Sequence, residues 1–276
     1  MIDSVNGNIN DAQNDHLKGY RWEKFTDIHC HCLAGLDDGP ATMAESLALC
    51  RRLAEEDIAT VVATPHQLGR FDGCNEAARV REAVHSLNES LRSSSIPLKV
   101  VPGGEVRVDE RICQLLSIDK ILTLADGGRY ILLELPRQVF IDIEPLLTEL
   151  VSMGIQPIIS HTEKNTSLAT MPKVLLRWLE QSAHLQITAS SLVGDLGSKV
   201  QRIAWDFLRS GLATIVATDS HNTDVRRPRM KAAFGHISTR LGKNLARLVC
   251  IENPSRVVNG QEILPISLPN QQEADR

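Results

Sequence analysis

Residues 213–221 read ATIVATDSH, a β-branched apolar run that ends in Asp219 and His221, two side chains able to hold a metal ion. Residues 59–66, ATVVATPH, follow the same plan and end in His66. Short apolar runs of this kind, bounded by turn-forming residues, read as buried strands. Working outward, five more runs fit: FTDIH (25–29), PLKVVPGGEVRV (97–108), YILLELP (130–136), QPIISH (156–161) and LQITAS (185–190). Helical patterns fill most of the gaps. Thr42 and Glu45 have capping-box spacing ahead of Met43, Leu47, Cys50, Leu53 and Ala54 on one face. Val80, Val84, Leu87 and Leu91 form a second apolar face, and Pro172 is placed to open a helix carrying Leu175, Leu176 and Leu179. Strands alternating with helices imply a parallel sheet with right-handed crossovers. An open doubly wound sheet and a closed barrel both satisfy that pattern.

The ends of the runs choose between them. The first run continues into His29-Cys30-His31 and is followed by Asp37-Asp38; the second ends at His66; the third carries Glu105 and the fourth Glu134. The fifth ends at His161, with Glu163 and Lys164 just beyond, and the last ends at Asp219-Ser220-His221. In a barrel of parallel strands every C-terminal end opens on one face, and that face holds the active site. In an open sheet such ends spread along a line and few converge. The expected fold is therefore α/β, a closed (β/α)7 TIM-like barrel. Successive strand side chains alternate faces, so His29 and His31 point the same way, as do Asp219 and His221. Imidazole and carboxylate without thiolate suit Mn²⁺, Fe²⁺ or Zn²⁺. A carboxylate such as Glu105 can bridge two ions, and so many ligands fit two or three ions better than one. Cys30 and Cys32 alternate with the histidines and are expected to face the other way, into the core.

The 276 residues carry a net charge of −4, with 42% hydrophobic and 23% charged residues, which is enough apolar material for a large core. No linker-like break interrupts the pattern, so the expected organisation is a flexible extension at 1–24, one barrel domain at 25–264 and a polar tail at 265–276. The acidic balance and the 4% aromatic content argue against nucleic-acid binding. No apolar run reaches the ~18 residues of a membrane helix, so no membrane insertion is expected. The polar first residues lack a signal-peptide core, and six cysteines without a C-x-x-C pair fit a reducing, cytoplasmic location.

H-x-H at 29–31, L-x-G-x-D-D-G-P at 33–40, ATPH, PGGE, LLELP, SH-x-E and ATDSHN together resemble the PHP (polymerase and histidinol phosphatase) superfamily. Within it the chain is similar to the bacterial manganese-dependent tyrosine-protein phosphatases of capsule and exopolysaccharide loci, from about residue 25 to about residue 262. The resemblance implies a distorted PHP-type barrel with the metals at the strand C-termini. It implies one ion held by His29, His31, Glu105 and Asp219, and a second by Glu105, Glu134 and His161. A third would be held by Asp38, His66 and His221, with Asp38 rather than Asp37 in the ligand role. Mn²⁺ is the ion implied, with Fe²⁺, Co²⁺ or Zn²⁺ as alternatives. The implied activity is hydrolysis of phosphotyrosine on a protein, with a bacterial tyrosine autokinase as partner and substrate. A metal-bound hydroxide would attack phosphorus in line while Arg226 and Lys164 grip the phosphoryl oxygens. The alternatives are a small-molecule phosphatase of the histidinol-phosphate type and a phosphotyrosine-binding module without turnover.

Two positions depart from the family pattern. Lys164 stands where the family has an arginine, which keeps charge but loses the bidentate fork, and Gln67 stands where a second histidine is common. Residues Cys250 to Arg256 match the C-x5-R spacing of cysteine-dependent phosphatases, but the loop has no glycine and Pro254 removes a donor, so a chance match is expected.

Overall fold

A proline and a pair of glycines shape two of the expected strands. Pro65 has no N–H to donate, and ATVVATPH is accordingly split into two short strands. Gly103-Gly104 splits PLKVVPGGEVRV in the same way, and a Cβ on Gly104 would lie 2.1 Å from Gln67 Oε1 on the neighbouring chain. The computed structural model describes residues 24–136 and 139–266. The expected N-terminal extension and C-terminal tail therefore fall, but for their innermost residues, outside the described residues.

Among the described residues the strands are β1 (Phe25–Cys30), β2 (Ile58–Ala63), β3 (His66–Gln67), β4 (Lys99–Pro102) and β5 (Glu105–Arg107), then β6 (Tyr130–Glu134), β7 (Gln156–Ile159), β8 (His184–Thr188) and β9 (Ala213–Ala217). They form two parallel sheets, ordered β1-β2-β4 and β3-β5-β6-β7-β8-β9. Because β2 runs on into β3 and β4 into β5, these are the seven staves read from the sequence, two of them interrupted. The ring closes between β9 and β1. There His31 N donates to Ser220 O (2.9 Å), Asp219 N donates to His29 O (2.8 Å), and the buried Asp27 carboxylate accepts from Thr218 N (2.9 Å).

Alternation along the staves sorts the side chains. Ile28, Val62, Tyr130, Leu132, Ile158, Ile215 and Ala217 fill the lumen, with Leu124, Val257 and Ile263 packed among them. Val61, Ile131, Leu133, Ile159, Leu185, Ile187 and Val216 face outward into the layer beneath the helices. The inward parity of β6 passes from Tyr130 and Leu132 to Glu134, and that of β9 from Ile215 and Ala217 to Asp219. The lumen is thus mainly apolar below, with His184 against Tyr130 at its foot, and its ionisable side chains gather at the C-terminal end.

The helices explain how the loops are held. Thr42 Oγ1 accepts from Glu45 N (3.3 Å) and Glu45 Oε2 accepts from Thr42 N (3.3 Å), the expected capping box at the head of helix Met43–Glu55. That cap anchors the loop carrying Asp37 and Asp38. Pro172 opens helix Pro172–Glu180 as expected, but Leu176 is 49% exposed, and Trp178 takes the buried position instead. Turning Leu175 inward carries Leu176, ~100° further round the helix, to the solvent side.

Candidate metal centre

The site begins at the end of β1. The pairing with β2 slips between Asp27 and Cys30, and beyond that irregularity His29 and His31 both turn into the mouth of the lumen, while Cys30 and Cys32 enter the outer core. Each histidine is oriented through Nδ1. His29 Nδ1 donates to Gln186 Oε1 (3.0 Å), and His31 Nδ1 donates to Asp37 Oδ2 (2.6 Å). With Nδ1 committed as the donor, each Nε2 faces the site and is the nitrogen that would supply a lone pair to a metal ion in place of a proton. Burial works against protonation of His31, but the charges of Asp37 and Glu105 outweigh it and hold its pKa up to about 10. Burial also penalises the Asp37 carboxylate, and His31 together with the Gly39 and His66 N–H groups lowers it to about 2. Asp37 is thus an orienting residue. Gly39 keeps it in place, because a Cβ there would lie 2.5 Å from His31 O.

Glu105 stands at the centre. It is fully buried. Its Oε1 lies 3.0 Å from His161 Nε2, and its Oε2 lies 3.2 Å from His66 Nδ1 and 3.3 Å from both His29 Nε2 and His31 Nε2. Despite this crowding neither oxygen accepts a hydrogen bond of acceptable geometry among the described residues, and nor does His221 Nε2 take part in one. A desolvated carboxylate ringed by imidazole nitrogens without a well-formed hydrogen bond is costly unless cations sit among their lone pairs. Cations seated among those lone pairs satisfy every one of the groups, so the residues present fit the ions that the sequence implies.

Asp219 and His221 complete the rim. Asp219 Oδ1 lies 3.4 Å from His29 Nε2 and accepts from Arg226 Nη2 (2.9 Å), while Lys164 Nζ donates to Oδ2. Burial raises the pKa of Asp219, but Lys164, His29 and Arg226 hold it well below the ordinary carboxylate range. His221 Nδ1 donates to Asp219 O (3.0 Å), and its Nε2 lies 3.2 Å from Asp38 Oδ1. Burial lowers the His221 pKa to about 4, which keeps the ring neutral. Asp219 (φ 52°) and His161 (φ 29°) both hold left-handed backbone conformations unusual for non-glycine residues. Such strain gathers where side-chain aim matters.

All nine sequence-read ligands lie in this one network. Single ligand atoms from His31, Asp38, His66 and His221 lie within 4.8 Å of one another, as do those of His29, His31 and Asp219, and those of His66, Glu105 and Glu134. These groups overlap the sets the resemblance implied without coinciding with them: His31 joins Asp38, His66 and His221, His66 stands with Glu105 and Glu134 as well, and His161 approaches Glu105 from its other oxygen. The cause is that His66 offers Nδ1 to Glu105 and Nε2, at 3.4 Å, to Asp38. The cavity above the network has a volume of about 750 Å³, and Arg226 and Arg107 line it. Cys250 is fully buried in the last helical segment, and burial pushes its thiol pKa well up, which removes it as a nucleophile.

The family model for capsular polysaccharide synthesis, CpsB/CapC, matches residues 25–259. The chain belongs to the CpsB/CapC family. Among its relatives, the tyrosine-protein phosphatase YwqE of Bacillus subtilis is 34% identical over 238 residues, covering 86% of this chain and 92% of YwqE. The tyrosine-protein phosphatase CpsB of Streptococcus agalactiae serotype III is 28% identical over 244 residues, 86% of this chain and 99% of that protein. A crystal structure from work on YwqE from Bacillus subtilis and CpsB from Streptococcus pneumoniae, described as unique metal-dependent tyrosine phosphatases, superposes with a TM-score of 0.83. It is 33% identical, and the match covers 89% of this chain and 98% of the other.

Against the CpsB/CapC pattern the two departures have different weight. Gln67 points away from the network: its Nε2 donates to Asn75 O (2.7 Å), and its Oε1 accepts from Leu122 N (2.9 Å). It is a buried clamp between loops. Lys164 is in the site, on Asp219. Sequence reading missed two supporting residues. Gln186 Oε1 accepts from both His29 Nδ1 and His161 N (2.9 Å). Buried Glu163 accepts from Thr188 N (2.9 Å) and Ser191 Oγ (2.6 Å), fastening the turn that carries Lys164 to the end of β8. The available signal for Gln186 was an amide placed between the outward Leu185 and Ile187 of β8.

Proposed function

We propose that this chain is a metal-dependent protein-tyrosine phosphatase of capsular or exopolysaccharide synthesis, acting on a bacterial tyrosine autokinase in the cytoplasm. The observation that carries the reading is Glu105, buried without a hydrogen-bond donor and ringed by four imidazole nitrogens within 3.3 Å. Mn²⁺ is the ion proposed, two or three per site, held by His29, His31, Asp38, His66, Glu105, Glu134, His161, Asp219 and His221. Such ions activate water at neutral pH and neutralise charge on phosphoryl oxygens. The chain's own residues do the rest. Gln186 and Asp37 fix the tautomers of His29 and His31. Arg226 and Lys164 shift from Asp219 to hold non-bridging oxygens as negative charge develops on them. The tyrosine leaving group, with a pKa near ~10, needs less acid assistance than an alkoxide. Among the described residues no helix is long and apolar enough to cross a membrane.

The test is hydrolysis of a phosphotyrosine peptide by chelator-stripped protein before and after Mn²⁺ is restored. Activity that returns only with metal is expected. Equal activity in metal-free protein overturns the reading, and so does inactivity with the metal shown to be bound.

A further inference from the structure

The cavity floor is ionic, but part of its wall is not. Leu68 and Phe71 line it on one side and Pro136 and Val139 also contribute. Phe71 is half-buried and its ring stacks on the imidazole of His66, with centroids 5.5 Å apart and planes 8° from parallel. The Arg70 guanidinium lies over the Phe71 ring at 4.7 Å, and Arg70 is itself paired with Asp38. The placement is built rather than incidental. Leu68 is 5% exposed and holds a φ of 66°, and Phe71 N donates back to Leu68 O (3.0 Å), so a tight turn sets both apolar side chains beside the site. His66 therefore meets the ligand network through both ring nitrogens and Phe71 through its face.

The geometry points to Leu68 and Phe71 as an aryl-binding shelf that makes this site select aryl over alkyl phosphates. The inference rests on the phosphatase reading and deepens it. In an aryl phosphate the ring begins one bond beyond the ester oxygen. When the phosphoryl group sits among the metal ligands, that ring reaches the cavity wall, where Phe71 borders His66. Aromatic rings meet favourably edge-on or offset, and the contact adds to the apolar area it covers. An alkyl phosphate of serine or of a small polyol offers no such face. Phe71 is thus a specificity residue that touches the leaving group and takes no part in bond breaking. The shelf reads the ring itself, whichever chain carries it.

Calorimetry on Mn²⁺-loaded protein tests the shelf with non-hydrolysable ligands: benzylphosphonate, whose methylene takes the place of the ester oxygen, ethylphosphonate and inorganic phosphate. The readout is the ratio of the ethylphosphonate to the benzylphosphonate dissociation constant, because any disturbance of His66 moves both constants together. Wild type is expected to favour the benzyl ligand about tenfold, the size of one aromatic contact with its buried area. Phe71→Ala is expected to bring the ratio close to one, and Phe71→Leu, which keeps apolar surface, to leave an intermediate value. A ratio near one in wild type overturns the shelf, as does an unchanged ratio in Phe71→Ala. Failure of wild type to bind any of the three, inorganic phosphate included, overturns the phosphatase reading and the shelf together.

Discussion

Replacing Gln186 by Leu should uncouple the metal centre while leaving every ligand in place. The side chain is fully buried, and its Oε1 is the acceptor for His29 Nδ1 (3.0 Å) and His161 N (2.9 Å). Leucine has nearly the same volume, so packing is conserved and the loss is polar. Each buried donor left without an acceptor costs ~1–3 kcal/mol, so the two together cost ~2–6 kcal/mol of folding stability at most. The His29 ring can relieve its share by moving its proton to Nε2, which removes the lone pair that a metal needs. Loss of such an outer partner typically lowers metal affinity ~10–100-fold, or ~1.4–2.8 kcal/mol. Gln186→Glu keeps an acceptor for both donors and should retain tight binding. The assay is Mn²⁺ titration by calorimetry, with circular dichroism to confirm that each variant is folded. Mn²⁺ affinity in folded Gln186→Leu within twofold of wild type would refute the argument that Gln186 sets the His29 tautomer.

Asp219→Ala and His31→Ala should each abolish phosphotyrosine-peptide hydrolysis and lower the metal content measured by elemental analysis; full activity in either contradicts the ligand assignment. Cys250→Ser should leave kcat near wild type and lower Tm, because a fully buried hydroxyl without a partner costs ~1–3 kcal/mol. The His31–Asp37 pair should give metal-stripped protein a defined pH signature. His31, raised to about 10, contributes stability that is complete below its unfolded value near ~6.5 and is lost as pH rises through about 10. Asp37, lowered to about 2, contributes stability that is present above ~3.9 and is lost as pH falls towards about 2. The Tm gap between wild type and Asp37→Asn should therefore be widest between pH ~4 and ~6.5 and narrow on either side. A gap that fails to shrink both below pH ~4 and above pH ~6.5 would contradict the pairing.

The barrel was legible because every stave but β8 announces itself twice, first as a short apolar run and then as a ligand type at its C-terminal end. Period-two alternation also placed His29 with His31 and sent Cys30 and Cys32 outward. What the pattern did not contain was the break in two staves at Pro65 and at Gly103-Gly104. A proline or a glycine pair inside an apolar run reads equally well as a bulge or as a strand end, and only the neighbouring chain decides. The exchange of Leu176 for Trp178 in the core has a similar cause, since several rotations of a short helix bury comparable apolar area.

Local chemistry marked the candidate ligands, because metal ions need imidazole and carboxylate, and strands present such groups at fixed alternation along one chain. The partners that orient those ligands come from elsewhere in the sequence. Gln186 is 157 residues from His29, and Phe71 acquires meaning only by stacking on His66. Asp37 and Asp38 are neighbours with opposite duties, one turned to His31 Nδ1 and the other to His221 Nε2. No spacing rule separates them. The separation is made by the ring closing between β9 and β1, which brings His221 within reach of Asp38, while Asp37 is held by His31 and by the Gly39 and His66 N–H groups.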